Sequence, residues 1–320
     1  MCTAISINSK GHLFLRTLDL DCSYGEAVIC TPRSFRLDFR HEEALNKHYS
    51  ILGVGCVFDN TPLYYDAFNE KGLAAAALNF PGMAVYFPKK EGKLNIASFE
   101  LISWVLSQCS DVSEAVDLIK KVNITNDSFS QTLLTTPLHW IIADKSGSVT
   151  VESVAGGLEI YENPFGVLTN SPGFPYHAMR ISDFLRIDSA SPENKIAPSV
   201  NLSCYSKGLG ATGLPGDYSS SSRFVRAVFL KNHSTAENLI SHGFHVMENL
   251  AVPRGAVLTD DGKPFMTVYT SVLDTDNGVY YFTTAGSRRI RAVRLSEELM
   301  NESAPSKFKM TEEEKIHYLN

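Results

Sequence analysis

Residues 2–7 alternate, with Ala4 and Ser6 on the Cys2 side and Ile5 and Ile7 on the other, which predicts a strand. Asn8-Ser9-Lys10-Gly11 reads as a turn, and residues 13–18 as the returning strand of a hairpin. Residues 27–30 and 50–58 are β-rich apolar runs. Residues 64–68 and 73–80 flank the turn Asn69-Glu70-Lys71-Gly72 as a second hairpin. Ala74 to Ala77 are all small, so another layer can come close there. Helical periodicity follows over 98–108, with Phe99, Ile102, Val105 and Leu106 on one face. The capping box Asp111-Val112-Ser113-Glu114 then starts a stripe of Val112, Ala115, Val116, Ile119 and Val122. Residues 138–143, 148–154, 157–161 and 166–169 alternate like strands. Helices are expected over 176–187, 219–230 and 235–250, and strands over 265–272, 278–284 and 290–294. Short hairpin turns between strands imply mainly antiparallel sheets, and the segregated helix blocks imply helices on their outer faces. The pattern therefore gives an α+β fold.

Composition narrows the partners. The 320 residues carry a net charge of −6, and no Lys/Arg run stands out, which argues against nucleic acid or an anionic membrane surface. No apolar stretch reaches the length of a membrane span, and no signal peptide is visible. Of the six cysteines none has CxxC spacing, and all but Cys2 read as free, buried thiols. A reducing cytoplasm is the expected compartment.

Candidate chemistry sits at the start of the chain. Cysteine is small enough for an aminopeptidase to remove the methionine before it. Cys2 would then carry a thiol and a free α-amine on one residue, nucleophile and base together. The hairpin returns Arg16 and Asp19 toward Cys2. A guanidinium favours a thiolate, and a carboxylate can orient an amine. The same stretch, read alone, also fits an ordinary hairpin with a buried structural cysteine and a surface Arg–Asp pair, and this is the simpler reading.

Other motifs are weaker. Gly208 to Gly213 matches G-x-G-x-x-G, but Leu214-Pro215-Gly216 follows and no good strand precedes it, so a packing or mobile loop is expected. His139 reads as a satisfied, buried histidine. His242 and His245 lack a third metal ligand. Asn79 and Asn170 read as turn or strand-end residues, and Arg223 and Arg226 as a solvated face or ion-pair partners.

Five pieces in order change the picture: Met1-Cys2-Thr3, Arg16-x-x-Asp19, Asn79 in Leu78-Asn79-Phe80-Pro81-Gly82, Asn170 in Leu168-Thr169-Asn170-Ser171-Pro172, and Arg223 in Ser222-Arg223-Phe224-Val225-Arg226. Together they resemble the choloylglycine hydrolase family, which holds the conjugated bile acid hydrolases and penicillin V acylases among the N-terminal nucleophile hydrolases. The resemblance implies one domain over residues 1–320, an αββα sandwich of two antiparallel sheets. It implies removal of Met1 and cleavage of a bile acid conjugated to glycine or taurine through a Cys2 thioester. It assigns Arg16 to the thiol, Asp19 to the α-amine, Asn79 and Asn170 to the oxyanion hole, and Arg223 to the surrounding charge network. No metal or organic cofactor is needed. By position, Leu18, Phe58, Tyr64 and Leu134 are candidates for the steroid pocket. The resemblance also implies a homotetramer in a bacterial cytoplasm. The alternatives are penicillin V acylase, against which Asn79 leans because those members look to carry Tyr there, and a non-catalytic binding protein on the same scaffold. Thr283-Thr284-Ala285-Gly286-Ser287 departs from the Tyr-Glu-Asn often found at that point in the family.

Overall fold

The computed structural model describes every residue except Ala236, Thr311 and Glu312. The N-terminal hairpin forms as expected: β1 (Cys2–Asn8) pairs antiparallel with β2 (His12–Leu20), Cys2 opposite Leu18 and Ala4 opposite Arg16. Strands β3 (Ala27–Thr31), β4 (Ile51–Phe58), β5 (Thr61–Asn69) and β6 (Ala74–Asn79) follow. A short parallel pair, β7 (Leu94–Ala97) and β8 (Val122–Thr125), brackets helices α1 (Leu101–Gln108) and α2 (Val112–Ile119). The Asp111 carboxylate caps α2 by accepting from the Glu114 N–H at 2.9 Å. Then come β9 (Leu138–Asp144), β10 (Gly147–Val154), β11 (Gly157–Glu162), β12 (Val167–Leu168), α3 (Phe174–Arg180), α4 (Ser220–His233) and α5 (Leu239–Glu248). The chain continues through β13 (Met266–Asp274), β14 (Val279–Thr284), β15 (Ser287–Arg294), α6 (Glu297–Met300) and β16 (Ser306–Lys309).

Two sheets dominate, one of six strands in the order β12-β1-β2-β13-β14-β15 and one of eight in the order β11-β10-β9-β6-β5-β4-β3-β16. All their pairings are antiparallel. Three apolar clusters define four layers. One lies between the eight-stranded sheet and α1 and α2, with Trp104, Ile119 and Trp140. One lies between the sheets, with Cys2, Ala4, Phe14 and Leu18 facing Ala74, Ala76, Leu78 and Ile141. The third joins Ile5, Leu15 and Val272 of the six-stranded sheet to Phe224, Phe244 and Met247 of α4 and α5. Strand β1 is thus buried on both faces, which its alternation of small and large apolar residues permits. Ala74 and Ala76 are small because β6 packs beneath the start of β1.

Some expectations shift. The helix expected at 176–187 is α3 followed by a 3₁₀ turn over Ile181–Phe184. The helix expected from 235 runs only from Leu239, capped by the Asn238 side chain, and Ala236 lies outside the described residues. Strands β7, β8 and β16 and helix α6 are too short to show a period. Cys22 and Cys204 are exposed in loops, correcting the expectation that all thiols but Cys2 are buried; Cys30, Cys56 and Cys109 are buried, and all six are free. No described helix is long and apolar enough to cross a membrane.

Candidate active site

The ladder brings Arg16 beside Cys2. Its Nη2 donates to the Cys2 Sγ at 3.6 Å and to the Ala77 C=O at 2.8 Å, and its Nη1 donates to Asp66 Oδ1 at 3.1 Å. Cys2, Arg16 and Asp66 are almost fully buried. Burial pushes the Cys2 thiol up, but the charges of Arg16 and of the chain's amino terminus outweigh it against Asp19, and the thiol lies below its ordinary value. Burial pulls Arg16 down and is outweighed by Tyr269, Cys2 and Asp66, which leaves it above its already high value and always charged.

Met1 continues the ladder. Its amino group donates to the Asp19 C=O at 2.8 Å, and its C=O accepts from the Asp19 N–H at 2.9 Å. Cys2 N is therefore an amide, donating to Asn170 Oδ1 at 2.9 Å. Asn170 is a hub. Its Oδ1 also accepts from Arg223 Nη2 at 2.6 Å, and its Nδ2 donates to the Asn79 C=O at 2.7 Å. Its own backbone is held on both sides: its N–H donates to the Ser220 Oγ at 2.8 Å, and its C=O accepts from His177 Nε2 at 2.9 Å.

Arg223 is fully buried, with its Nε on the Tyr218 C=O at 3.0 Å and its Nη1 on the Cys2 C=O and, at 2.6 Å, on the Thr3 hydroxyl. Arg226 is also buried and donates to the carbonyls of Pro215, Asp217 and Asn249. Neither lies on the solvated face that the helix pattern alone suggested. Burial pulls Arg223 down while Asp19 and Cys2 counter it. Asp19 is fully buried, and its Oδ1 accepts from the Thr267 hydroxyl at 2.6 Å. Burial raises Asp19 above its ordinary value, against the pull of Arg223, the amino terminus, Thr267 and Arg16.

The six candidate residues of the five motifs thus converge from β1, β2, the end of β6, the end of β12 and α4. Asn79 is half-buried, and its side chain has no hydrogen-bond partner among the described residues. The four pocket candidates scatter. Leu18 packs between the sheets, and Tyr64 lies under α1 with its hydroxyl 2.6 Å from the Thr31 Oγ1. Phe58 is 37 % exposed beside Phe129, and Leu134 is 71 % exposed in the loop before β9. His139 is buried and stacked on Phe80, and its Nε2 donates to the Thr169 C=O at 3.0 Å. The Gly208–Gly213 stretch is a 3₁₀ turn, and a Cβ on Gly210 would lie 1.9 Å from the Ala190 C=O. It is a packing loop.

Sequence reasoning missed Asp66, Thr267 and Ser220. Asp66 had a usable signal, a lone acid inside the apolar run Tyr64-Tyr65-Asp66-Ala67-Phe68; the other two had none.

Two antiparallel sheets between helical layers, with the cysteine at residue 2 on an interior strand and facing the space between the sheets, define the N-terminal nucleophile hydrolase fold. The chain belongs to the choloylglycine hydrolase family of linear amide C–N hydrolases, whose profile matches residues 2–308. It is 42 % identical to a bile salt hydrolase/transferase of Lactiplantibacillus plantarum, over 100 % of both chains. The crystal structure of a mutant conjugated bile acid hydrolase from Clostridium perfringens superposes with a TM-score of 0.92 at 32 % identity, over 100 % of both chains. A penicillin V acylase from Agrobacterium tumefaciens, at 24 % identity over 96 % of this chain and 90 % of that one, shares the fold with a TM-score of 0.75.

Proposed function

We propose that this chain hydrolyses the amide bond between a bile acid and its glycine or taurine, through a thioester on Cys2. One observation carries the reading: a buried Cys2 thiol held at 3.6 Å by Arg16, in a chain 42 % identical along its whole length to a bile salt hydrolase/transferase. Likeness to the penicillin V acylase reaches only 24 % identity and supports no substrate.

Removal of Met1 frees the α-amine of Cys2, an ordinary base near neutral pH (~7.7–8.0). The amine stays beside Asn170 Oδ1, whose other partner is the Arg223 cation. A neighbouring cation disfavours the ammonium and keeps the amine available as a base. The amine takes the thiol proton, and the sulfur attacks the amide carbon. The oxyanion meets the second Nδ2 hydrogen of Asn170, the first being on the Asn79 C=O, together with a donor from Asn79. Collapse breaks the C–N bond, the α-ammonium protonates the departing glycine or taurine, and the acyl group remains on sulfur. Water then gives a proton to the amine and its oxygen to the thioester, and the thiolate leaves. Arg16 stabilises that thiolate, and Asp19 orients the amine. Every atom moved comes from substrate, water or Cys2, so the scheme calls on no metal or organic cofactor.

In this reading Phe58 and Leu134 meet the steroid, while Leu18 and Tyr64 shape the walls from behind. Residues 1–320 act as one domain, because groups of both sheets close on Cys2. The family resemblance supports a homotetramer in a bacterial cytoplasm, which sedimentation and fractionation test. The experiment for the function is turnover of glycocholate, taurocholate and penicillin V by the mature protein and by Cys2→Ser. Bile-salt hydrolysis lost in Cys2→Ser is expected. Cleavage of penicillin V alone, or unchanged turnover by Cys2→Ser, overturns the reading.

A further inference from the structure

Arg16 reaches the thiol with one nitrogen of a planar fork, and something must decide which one. Its Nε is buried without a partner among the described residues. The orientation of the guanidinium therefore rests on its two ends, Nη2 on the Ala77 C=O and Nη1 on Asp66. Asp66 is fully buried and belongs to the other sheet. Four donors converge on its carboxylate: Arg16 Nη1 and the Tyr269 hydroxyl on Oδ1, the Tyr280 hydroxyl at 2.5 Å and the Ser271 hydroxyl at 3.1 Å on Oδ2. Burial first, and the charge of Asp66 with it, pushes both tyrosines well above their ordinary values, so they remain donors.

Two β-bulges build this cradle. Opposite Asp66 is Val54, but opposite Tyr64 is Gly55, so Tyr65 is an extra residue on β5. Strict alternation would send Asp66 toward α1 with Tyr64; the bulge turns it between the sheets. Gly53 and Gly55 make room for it, since a Cβ on Gly53 would lie 2.2 Å from the Asp66 C=O and one on Gly55 2.1 Å from the Leu63 C=O. On β13 the register slips between Thr267 and Tyr269, which aims Thr267 at Asp19 and Tyr269 at Asp66. A buried ion pair is not a stability device by default, because desolvating two charges offsets much of their attraction. Its position, one guanidinium away from the sulfur, points to chemistry.

We propose that Asp66 is a positioning residue for amide cleavage: it crosses from the eight-stranded sheet to fix Arg16 with Nη2 on the Cys2 sulfur, and it takes up part of the guanidinium charge so that the thiolate is not overstabilised. The proposal rests on Cys2 being the nucleophile. The charged groups facing Cys2 are Arg16 and Asp19 from β2, Arg223 from α4 and the amino terminus. Those facing Asp66 are Arg16, with the ionisable Tyr269 and Tyr280 from β13 and β14.

The test is the pH dependence of Cys2 alkylation by iodoacetamide in the mature protein, followed at the Cys2 peptide by mass spectrometry because the exposed Cys22 and Cys204 would react as well. Asp66→Asn keeps an acceptor for Arg16 Nη1 but removes the countercharge. The half-point of alkylation should fall by roughly one pH unit. The plateau rate should fall about threefold, since a less basic thiolate is a weaker nucleophile. Glycocholate kcat should fall with KM nearly unchanged. Tyr280→Phe removes one donor from Asp66, tightens its hold on Arg16, and should move the half-point up. A half-point in folded Asp66→Asn that is unmoved or raised overturns the proposal. If Asp66→Asn does not fold, an unmoved half-point in Tyr280→Phe does so. Alkylation involves no bile salt, so a failure of the substrate reading is seen separately, in glycocholate turnover by the wild-type protein.

Discussion

Asn170 is the residue whose removal separates holding from donating. Asn170→Ala deletes an acceptor for the Cys2 nitrogen and for Arg223, and a donor to the Asn79 C=O. The lost bond to the buried Arg223 cation costs about 1.5–3 kcal/mol, and each of the two neutral bonds about 0.5–1.5 kcal/mol. The sum is roughly 2.5–6 kcal/mol of stability. For 320 residues, at ~2.1 cal/mol/K each, that lowers Tm by roughly 4–9 °C. The variant should therefore remain folded at 25 °C. Loss of an oxyanion donor costs a further ~2.7–4 kcal/mol in the transition state, about 10²–10³ in kcat.

Asn170→Asp supplies the contrast. Its carboxylate still accepts from Arg223 and from the α-amine, so Tm should fall less than in Asn170→Ala. It has no hydrogen to give the oxyanion, repels the thiolate, and favours the ammonium over the amine. Its kcat should be at least as low as that of Asn170→Ala. The assay is glycocholate turnover on preparations shown by intact mass to start at Cys2, with Tm measured on the same samples. A folded Asn170→Asp protein that keeps kcat within threefold of wild type would falsify the donor role of Asn170. A Tm unchanged in Asn170→Ala would refute the energetic reading of the hub.

Two further outcomes follow from the same geometry. Retaining Met1, for example behind an uncleaved N-terminal extension, should abolish turnover without unfolding the chain, because Cys2 N is then the amide that donates to Asn170 and cannot take a proton; full activity in a protein shown by mass to keep Met1 contradicts this. Asn79→Tyr should lower kcat/KM for glycocholate more than for penicillin V, since the ring fills space beside the scissile carbonyl and overpacking costs ~1–3 kcal/mol for a rigid steroid; an equal fall for both substrates removes Asn79 from acyl selectivity.

What could be read from the chain, and what could not, follows from how each signal arises. The β1–β2 hairpin was legible because its turn and alternation are local, and the register that sets Arg16 beside Cys2 follows once the hairpin closes. The capping box at Asp111 and the small residues of β6 were legible for the same reason. The burial of Arg223 was not. Its partners are carbonyls, a hydroxyl and an amide brought from β1, the residues after β12 and the turn before α4, and an arginine on a helix looks the same in sequence whether it meets water or buried polar groups. Asp66 and Tyr269 were hidden in another way. Period-two reading assigns a face to every strand residue, and a single bulge inverts that assignment for everything beyond it. Tyr65 on β5 and Val268 on β13 are such residues, and nothing in their side chains marks them as extra. The glycines opposite β5 are the nearest thing to a mark: Gly53 and Gly55, two residues apart in an apolar strand, signal close backbone approach. A lone acid in one apolar strand, with two such glycines in the strand that pairs with it, is therefore a sequence pattern that implies an inward-turned carboxylate. Here that carboxylate lies one guanidinium from the sulfur.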